Sequence, residues 1–403
     1  MTIGAKGLDR RLDRRSLVLG SAGMGVLGLG GCATTGLAGP SGPSSLSPGV
    51  YAPRIAPVRA SMDRVFDITV CLRPFRAAGP RIEAETIGDT LVVHNYGHGG
   101  SGWSLSWGSG TVALRMAMAN SPREVAVIGC GALGLTSALL AQEAGAKVTI
   151  YAKDLLPEVR SSRATGSWTP DSRICLTKVA GPAFADRWEE MARLSFKRYR
   201  RYLGLPGTPV EWSDRYILSD DPPGPGHSAP DPLGFAHYED RIRDLGGTSE
   251  LLPAGSTPFP VAYVRRGSSM QFNVADYGHT LMTDFLTGGG RIERRTFNSP
   301  AEFAGLKEKV VINCPGYGAR ALCKDESVTP VRGQITWLIP QPEVNYGVYY
   351  NGVSVLSRRD GIVVQAVWGG DMFGYGDDHE VIDRAEAEKA VGIVADLYGR
   401  MKA

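Results

Sequence analysis

Apolar and polar positions alternate in blocks along the middle of the chain. Val125-Ala-Val-Ile128 is a short apolar run rich in β-branched residues, and Lys147-Val-Thr-Ile-Tyr151 is another. Between them Ala132 to Ala144 is a longer apolar block that stops at Gly145. This spacing predicts strand, turn, helix and strand in succession. Farther on, Glu380 to Gly399 brings Ala387, Ala390, Val391, Val394, Leu397 and Tyr398 into helical recurrence, which predicts an amphipathic helix. Upstream, Thr111 to Ser121 continues a helix that begins near the glycine-rich stretch VVHNYGHGGSGWSLSWG (Val92 to Gly108), and it runs through Ser121-Pro122 into the first strand. Near the start, Arg14-Arg15 precede an uncharged segment, Ser16 to Gly31, that is too short and glycine-rich for a comfortable membrane span.

That last pattern is similar to a twin-arginine export signal, a route that carries folded proteins, often with cofactor bound. Leu29-Gly30-Gly31-Cys32 resembles a bacterial lipoprotein cleavage box, in which Cys32 becomes the lipidated residue and attaches the protein to a membrane; a soluble signal cut nearby is the competing reading. The expected location is periplasmic or cell-envelope. Residues 33–63, rich in Ser, Pro and Gly, read as a flexible tether.

With 403 residues the chain exceeds the roughly 250 to 300 at which one core stops growing, so two domains are expected. The 44 basic and 41 acidic side chains leave a net charge of +3, too little to suggest a nucleic-acid surface. Cys32, Cys71, Cys130, Cys175, Cys314 and Cys323 include no C-x-x-C pair. Buried thiols are expected, with one periplasmic disulfide left open. No histidines stand at metal-ligand spacing, and no metal is expected.

Gly129-x-Gly131-x-x-Gly134 follows the first strand directly, which is the dinucleotide fingerprint in its required context. Gly129 makes the turn, Gly131 admits the pyrophosphate, and Gly134 lets helix pack on strand. Ala132 and Leu133 open the helix whose N-terminus faces the phosphates. After the second strand come Lys153 and Asp154, either of which could meet the adenosine ribose.

With the fingerprint, four further segments resemble the D-amino acid oxidase family of FAD enzymes. RSSRATGSWTP (Arg160 to Pro170) is similar to the family's flavin-wrapping loop, which implies cofactor contacts from Ser161, Ser162, Arg163, Gly166, Trp168 and Thr169. VVINCPGYGAR (Val310 to Arg320) resembles the turn beside the adenine half, and PVRGQI (Pro330 to Ile335) the segment leading into the substrate domain. CLRPFR (Cys71 to Arg76) with HNYGHGGSGW resembles the family's last strand and flavin loop. In the family these last pieces close the chain; here they precede the fingerprint, so the resemblance implies a circular permutation.

The implied fold is α/β: a Rossmann-type FAD-binding domain from 74–171 and 268–335, and a mixed or antiparallel-sheet substrate domain from 64–73, 172–267 and 336–403. The implied activity is oxidative deamination of a D-amino acid to imino acid, then keto acid and ammonia, with hydride passing to flavin N5 and oxygen giving hydrogen peroxide. A glycine- or sarcosine-type oxidase, a quinone-linked dehydrogenase and a non-catalytic exported flavoprotein stay open as alternatives. Arg73 is the expected grip on the substrate carboxylate, because a guanidinium offers two parallel hydrogen bonds. Gly99, Gly100, Ser101, Gly102, Trp103 and Ser104 begin a helix whose amides are expected to face the flavin, Gly100 among them as a stabiliser of developing charge. His94 and His98 are read as structural. Tyr349 stands at the first of two family tyrosine positions, but Val353 takes the second, leaving Tyr346 or Tyr350 as substitutes; Trp168, Thr169 and Tyr350 are further pocket candidates.

Overall fold

A computed structural model describes residues 55–222 and 231–401. The export signal at 1–32 and Cys32 lie outside the described residues. In chain order the elements begin with β1 (Val65–Arg76), β2 (Arg81–Ile87), β3 (Thr90–Tyr96) and α1 (Gly102–Ala117). The fingerprint unit follows as β4 (Glu124–Ile128), α2 (Ala132–Glu143) and β5 (Lys147–Ala152), matching the sequence reading to within a residue at most ends. Then come α3 (Thr177–Ala180), α4 (Pro182–Tyr199), β6 (Val210–Ser219), β7 (Glu250–Leu251), β8 (Tyr263–Phe272), α5 (Val274–Thr287) and β9 (Arg291–Arg294). The rest is β10 (Val310–Asn313), α6 (Ala319–Leu322), β11 (Val328–Leu338), β12 (Tyr346–Tyr350), β13 (Val353–Arg358), β14 (Gly361–Ala366) and α7 (Arg384–Gly399).

Two sheets organise these elements. The six-stranded sheet runs β2-β3-β10-β4-β5-β9, parallel throughout except for β2 at its edge. Its central strands read as continuous apolar runs because both faces are covered. Val125 and Val127 pack toward α2 and α5, while Ala126 and Ile128 meet Phe297, Phe303 and Leu306 on the other side. α2 is buried along nearly its whole length, which explains why its sequence is apolar all round rather than striped.

The eight-stranded sheet runs β1-β11-β14-β13-β12-β6-β8-β7 and is mostly antiparallel. β1 pairs along β11 with Arg73 opposite Val331, so the segments CLRPFR and PVRGQI lie side by side. β8 and β11 both belong to this sheet and cross the expected domain limits at 268 and 335.

NYGVYYNGVSVLSRR folds as a hairpin, not one strand. Asn351 and Gly352 have φ of 45° and 70°, the left-handed pair of a tight two-residue turn, and β12 and β13 pair across it.

Residues 33–54 of the expected tether lie outside the described residues, and from residue 55 the chain is packed, not a free tether. Ile55 and Val58 are buried, and with Val394, Leu397 and Tyr398 of α7 they form one apolar cluster. Tyr346 Oη donates to Ala56 O at 2.6 Å, and Arg59 N donates to Gln341 Oε1 at 2.7 Å. The five cysteines among the described residues are free thiols.

Candidate active site

The groove at the carboxyl end of the parallel strands is shaped by the three fingerprint glycines. Gly129 adopts φ of 97°, and a Cβ there would stand 2.4 Å from Cys314 O. A Cβ on Gly134 would stand 2.0 Å from Gly129 O, so only glycine lets α2 seat on the turn. Gly131 faces Ser161, whose Oγ would lie 2.7 Å from an added Cβ and accepts from Ala132 N at 3.0 Å. Past Leu133 the groove continues between Lys153 and Asp154 on one side and Cys314 to Tyr317 on the other, so both ribose candidates face it. Its far wall is Phe297, with the Arg295 guanidinium stacked 4.7 Å from the ring centre.

A cavity of about 370 Å³ joins this groove through shared residues, among them Ala132, Leu133, Ser161 and Tyr317. Arg73 stands in its wall. Its Nη1 donates to Arg332 O at 3.0 Å and to Val331 O at 3.4 Å, while the guanidinium lies flat over Gly333, where a Cβ would come within 2.3 Å. Burial lowers its pKa from the usual guanidinium range, opposed by the neighbouring Cys71 and Asp371. Arg73 forms no ion pair with any described residue, whereas the buried Arg173, Arg332 and Arg358 each do.

The glycine loop closes the cavity from above. Gly99 N donates to Pro74 O at 2.8 Å and Gly100 N to Ser172 O at 2.9 Å, and Ser101 N to His98 O at 2.9 Å. These three amides are therefore taken. The free ones belong to Gly102, Trp103 and Ser104, the first turn of α1, which has no side-chain cap. Gly100 contributes clearance instead, since a Cβ there would meet Ser172 Oγ at 2.5 Å. Ser104 Oγ accepts from Thr169 N at 2.9 Å and Trp103 Nε1 donates to Ser161 O at 2.8 Å, so helix and wrapping loop are locked together.

Other expected residues divide. Gly166, Thr169, Arg163 and Tyr349 line the cavity. Trp168 turns away and packs edge-on against Phe196 and Tyr199. Tyr350 also faces away, its Oη bonded to Asp220 at 2.7 Å and Arg400 at 2.8 Å, and Tyr346 is engaged with Ala56 and Tyr398. Ser162 lines a separate groove beside Leu156 and Trp337. The register of the β12–β13 hairpin sets Ser354 opposite Tyr349, and Ser354 with Gln365 lines the cavity; sequence reasoning missed Ser354 because the Asn351-Gly352 turn was not read, and Gln365 because only its pairing with Ser354 across β13 and β14 brings it there.

The two histidines behave differently. His94 is tied to Glu85 at 2.8 Å and Asn313 at 3.1 Å. His98 is fully buried at the cavity, neither ring nitrogen has a partner among the described residues, and burial pushes its pKa down to about 3. In the protein without cofactor, the unfolded chain takes up a proton near the ordinary pKa of about 6.5 while the folded chain does not. Stability contributed by neutral His98 is thus complete above that pH and falls as pH drops toward about 3, by at most about 1.4 kcal/mol per pH unit. Urea unfolding of cofactor-free protein should lose less stability between about pH 6.5 and pH 5 in His98→Asn than in wild type, the difference being roughly 2 kcal/mol. Equal losses would show that His98 gains a partner in solution.

FAD fits this arrangement on three structural grounds. Two helix starts, α1 and α2, whose N-cap residues provide no side-chain cap, face one continuous groove and cavity, with Ser161 meeting the first amide of α2. The glycines clear its walls, and the orphaned His98 nitrogens face the same space. The residues placed to hold it are Gly129 to Gly134, Lys153 or Asp154, Ser161, Arg163 and the start of α1.

Comparison with known proteins agrees. The D-amino-acid oxidase of Streptomyces coelicolor is 27% identical over 215 residues, 53% of this chain and 58% of that one. That of Rubrobacter xylanophilus is 29% identical over 216 residues, 52% of this chain and 57% of that one. The chain thus spans somewhat more than half the length of the curated relatives it matches. The solved glycine oxidase of Geobacillus kaustophilus is similar at a TM-score of 0.46 and 12% identity, over 70% of this chain and 80% of that one. The family model for FAD dependent oxidoreductases of the DAO type matches residues 124–402, and the chain belongs to that family.

Proposed function

We propose that the protein is an FAD-dependent oxidase of D-amino acids. The observation that carries this reading is Arg73, a part-buried guanidinium held by two backbone carbonyls and without a carboxylate partner among the described residues, in the cavity that continues the dinucleotide groove. Bound FAD would supply the hydride acceptor for the substrate α-carbon. Arg73 then binds the carboxylate with the N–H groups its carbonyl partners leave free, and so points the α-hydrogen across the cavity. The free amides of Gly102, Trp103 and Ser104 present the positive end of α1 where negative charge develops. Tyr349, Ser354 and Gln365 form the polar side of the wall. His98, neutral throughout the working range, donates or accepts a hydrogen bond but supplies no cation.

The reaction yields an imino acid and hydrogen peroxide from amino acid and oxygen, and water converts the imino acid to keto acid and ammonia. Oxygen uptake with peroxide release, measured over D-amino acids, L-amino acids, glycine and sarcosine, tests it. Turnover of the D-enantiomers with matching peroxide supports the proposal. Preference for glycine or sarcosine redirects it to an amine oxidase, and turnover only with a quinone acceptor to a dehydrogenase.

Two further readings belong to this proposal. The chain order is a circular permutation: β1 fills a place in the eight-stranded sheet and β3 one inside the six-stranded sheet, although both precede the segment matched by the family. The shared cluster of Ile55, Val58 and α7 puts the start of the described chain beside its last helix. Moving residues 55–120 behind residue 401 through a short linker should give a flavoprotein of unchanged spectrum; soluble protein without flavin would contradict the permutation. Export is assigned to Arg14-Arg15, with Cys32 as the lipid attachment. Changing both arginines to lysine should retain the protein in the cytoplasm, and undiminished export would overturn that assignment.

A further inference from the structure

Two arginines line the substrate end of the cavity. Arg73 reaches it from β1 and Arg173 from the loop after Pro170. Arg160 and Arg163 line the same cavity but also the dinucleotide groove, which puts them on the phosphate side. Arg73 and Arg173 line the substrate end without lining that groove, and no aspartate or glutamate stands among the cavity's lining residues. A monocarboxylate substrate would meet only one of the two.

Arg173 is held in place with care. The glycine loop is pinned on both sides, by Gly99 N on Pro74 O at 2.8 Å and Gly100 N on Ser172 O at 2.9 Å, so Arg73 and Arg173 flank it. A Cβ on Gly99 would lie 1.9 Å from Arg173 O. Arg173 itself has φ of 49°, a left-handed conformation that costs a residue with a side chain and concentrates at functional positions. Its side chain is 8% exposed; Nε donates to Asp371 O at 2.8 Å and Nη2 to Gly370 O at 2.6 Å. Asp371 stands 3.5 Å from Nη1, outside the cavity lining, and is also 3.9 Å from His237. Burial first, then the charge on Arg73, draws the Arg173 pKa down to about 10, with Asp371 opposing both.

We propose that Arg173 is a specificity-determining residue that takes the side-chain carboxylate of an acidic D-amino acid, D-aspartate or D-glutamate, while Arg73 holds the α-carboxylate. This rests on the oxidase reading above. A dicarboxylate meets both guanidiniums at once, whereas D-alanine leaves Arg173 with Asp371 alone, 3.5 Å from Nη1 and outside the cavity lining.

The test compares wild type, Arg173→Met and Arg173→Lys as holoenzymes. It reads kcat/KM for D-aspartate, D-glutamate and D-alanine, and calorimetric binding of succinate against propionate. Wild type should favour the acidic substrates and succinate. Arg173→Met should lower the D-aspartate to D-alanine ratio by roughly 10- to 150-fold, the range of one hydrogen bond to a charged partner, and Arg173→Lys should restore part of it. An unchanged ratio, or equal loss for both substrates, would make Arg173 a strut for the Gly370-Asp371 turn and overturn the proposal. Should no amino acid be oxidised, the oxidase reading fails separately. Succinate selectivity lost in Arg173→Met would then still support the paired-arginine site, and its absence in wild type would refute it.

Discussion

Replacing Arg73 by leucine is expected to leave flavin content intact while kcat/KM for D-amino acids falls by about 2 to 5 kcal/mol, the cost of removing one partner of a buried charge pair. Simple amines lacking the carboxylate should lose far less. Leucine fills much of the space over Gly333 but leaves Arg332 O without its donor, so a stability loss of about 1 to 3 kcal/mol accompanies the change. Thermal unfolding separates that loss from the kinetic one. In wild type kcat/KM should rise with pH toward the substrate ammonium pKa, because the amine must be neutral before hydride leaves. Neither histidine should add a limb near neutrality: His98 is pushed down to about 3 and burial also lowers His94. Equal losses for amino acids and amines on Arg73→Leu would move this arginine from substrate binding to structure.

The second large effect is expected at Gly131. Valine there should yield folded, colourless protein. The Cβ would meet Ser161 Oγ at 2.7 Å, a contact that a serine rotation relieves, but the branched side chain then occupies the approach to the α2 N-terminus. Gly134→Val should fail differently. Its Cβ would lie 2.0 Å from the backbone oxygen of Gly129, which cannot rotate away, so the fold itself loses stability. Flavin content and far-UV circular dichroism distinguish the two outcomes. Full flavin occupancy in Gly131→Val would remove the fingerprint from the cofactor site.

The parts legible in the sequence are those whose causes are local or repeat along the chain. β4, the glycine turn, α2 and β5 are consecutive, and their burial on both faces leaves apolar runs that need no partner to recognise. The buried stripe of α7 is the same one that helical spacing picks out. Arg73 and the glycine loop were legible through resemblance, and the sheet pairing brings them to one cavity. What was hidden depends on distant packing. Trp168 has the composition of a pocket residue, but its direction is set by Phe196 and Tyr199 from α4. The amides of Gly99 and Gly100 look free until Pro74 and Ser172 arrive from other segments. Ile55 and Val58 sit in a stretch whose proline content masks them, and their burial depends on a distant cluster of α7 and sheet residues such as Leu338 and Tyr346. The hairpin that exposes Ser354 did carry a local signal, since Asn351-Gly352 is the dipeptide a tight two-residue turn favours.

The central claim, that this cavity oxidises a D-amino acid on bound FAD, is tested most directly without oxygen. The yellow holoenzyme is mixed anaerobically with the D- and then the L-enantiomer of one acidic and one neutral amino acid, and the flavin absorbance is followed. The account predicts rapid bleaching by the D-enantiomers and little by the L-forms, with return of colour on admitting air. A flavin that stays oxidised with every D-amino acid, while bound at full occupancy, would contradict it.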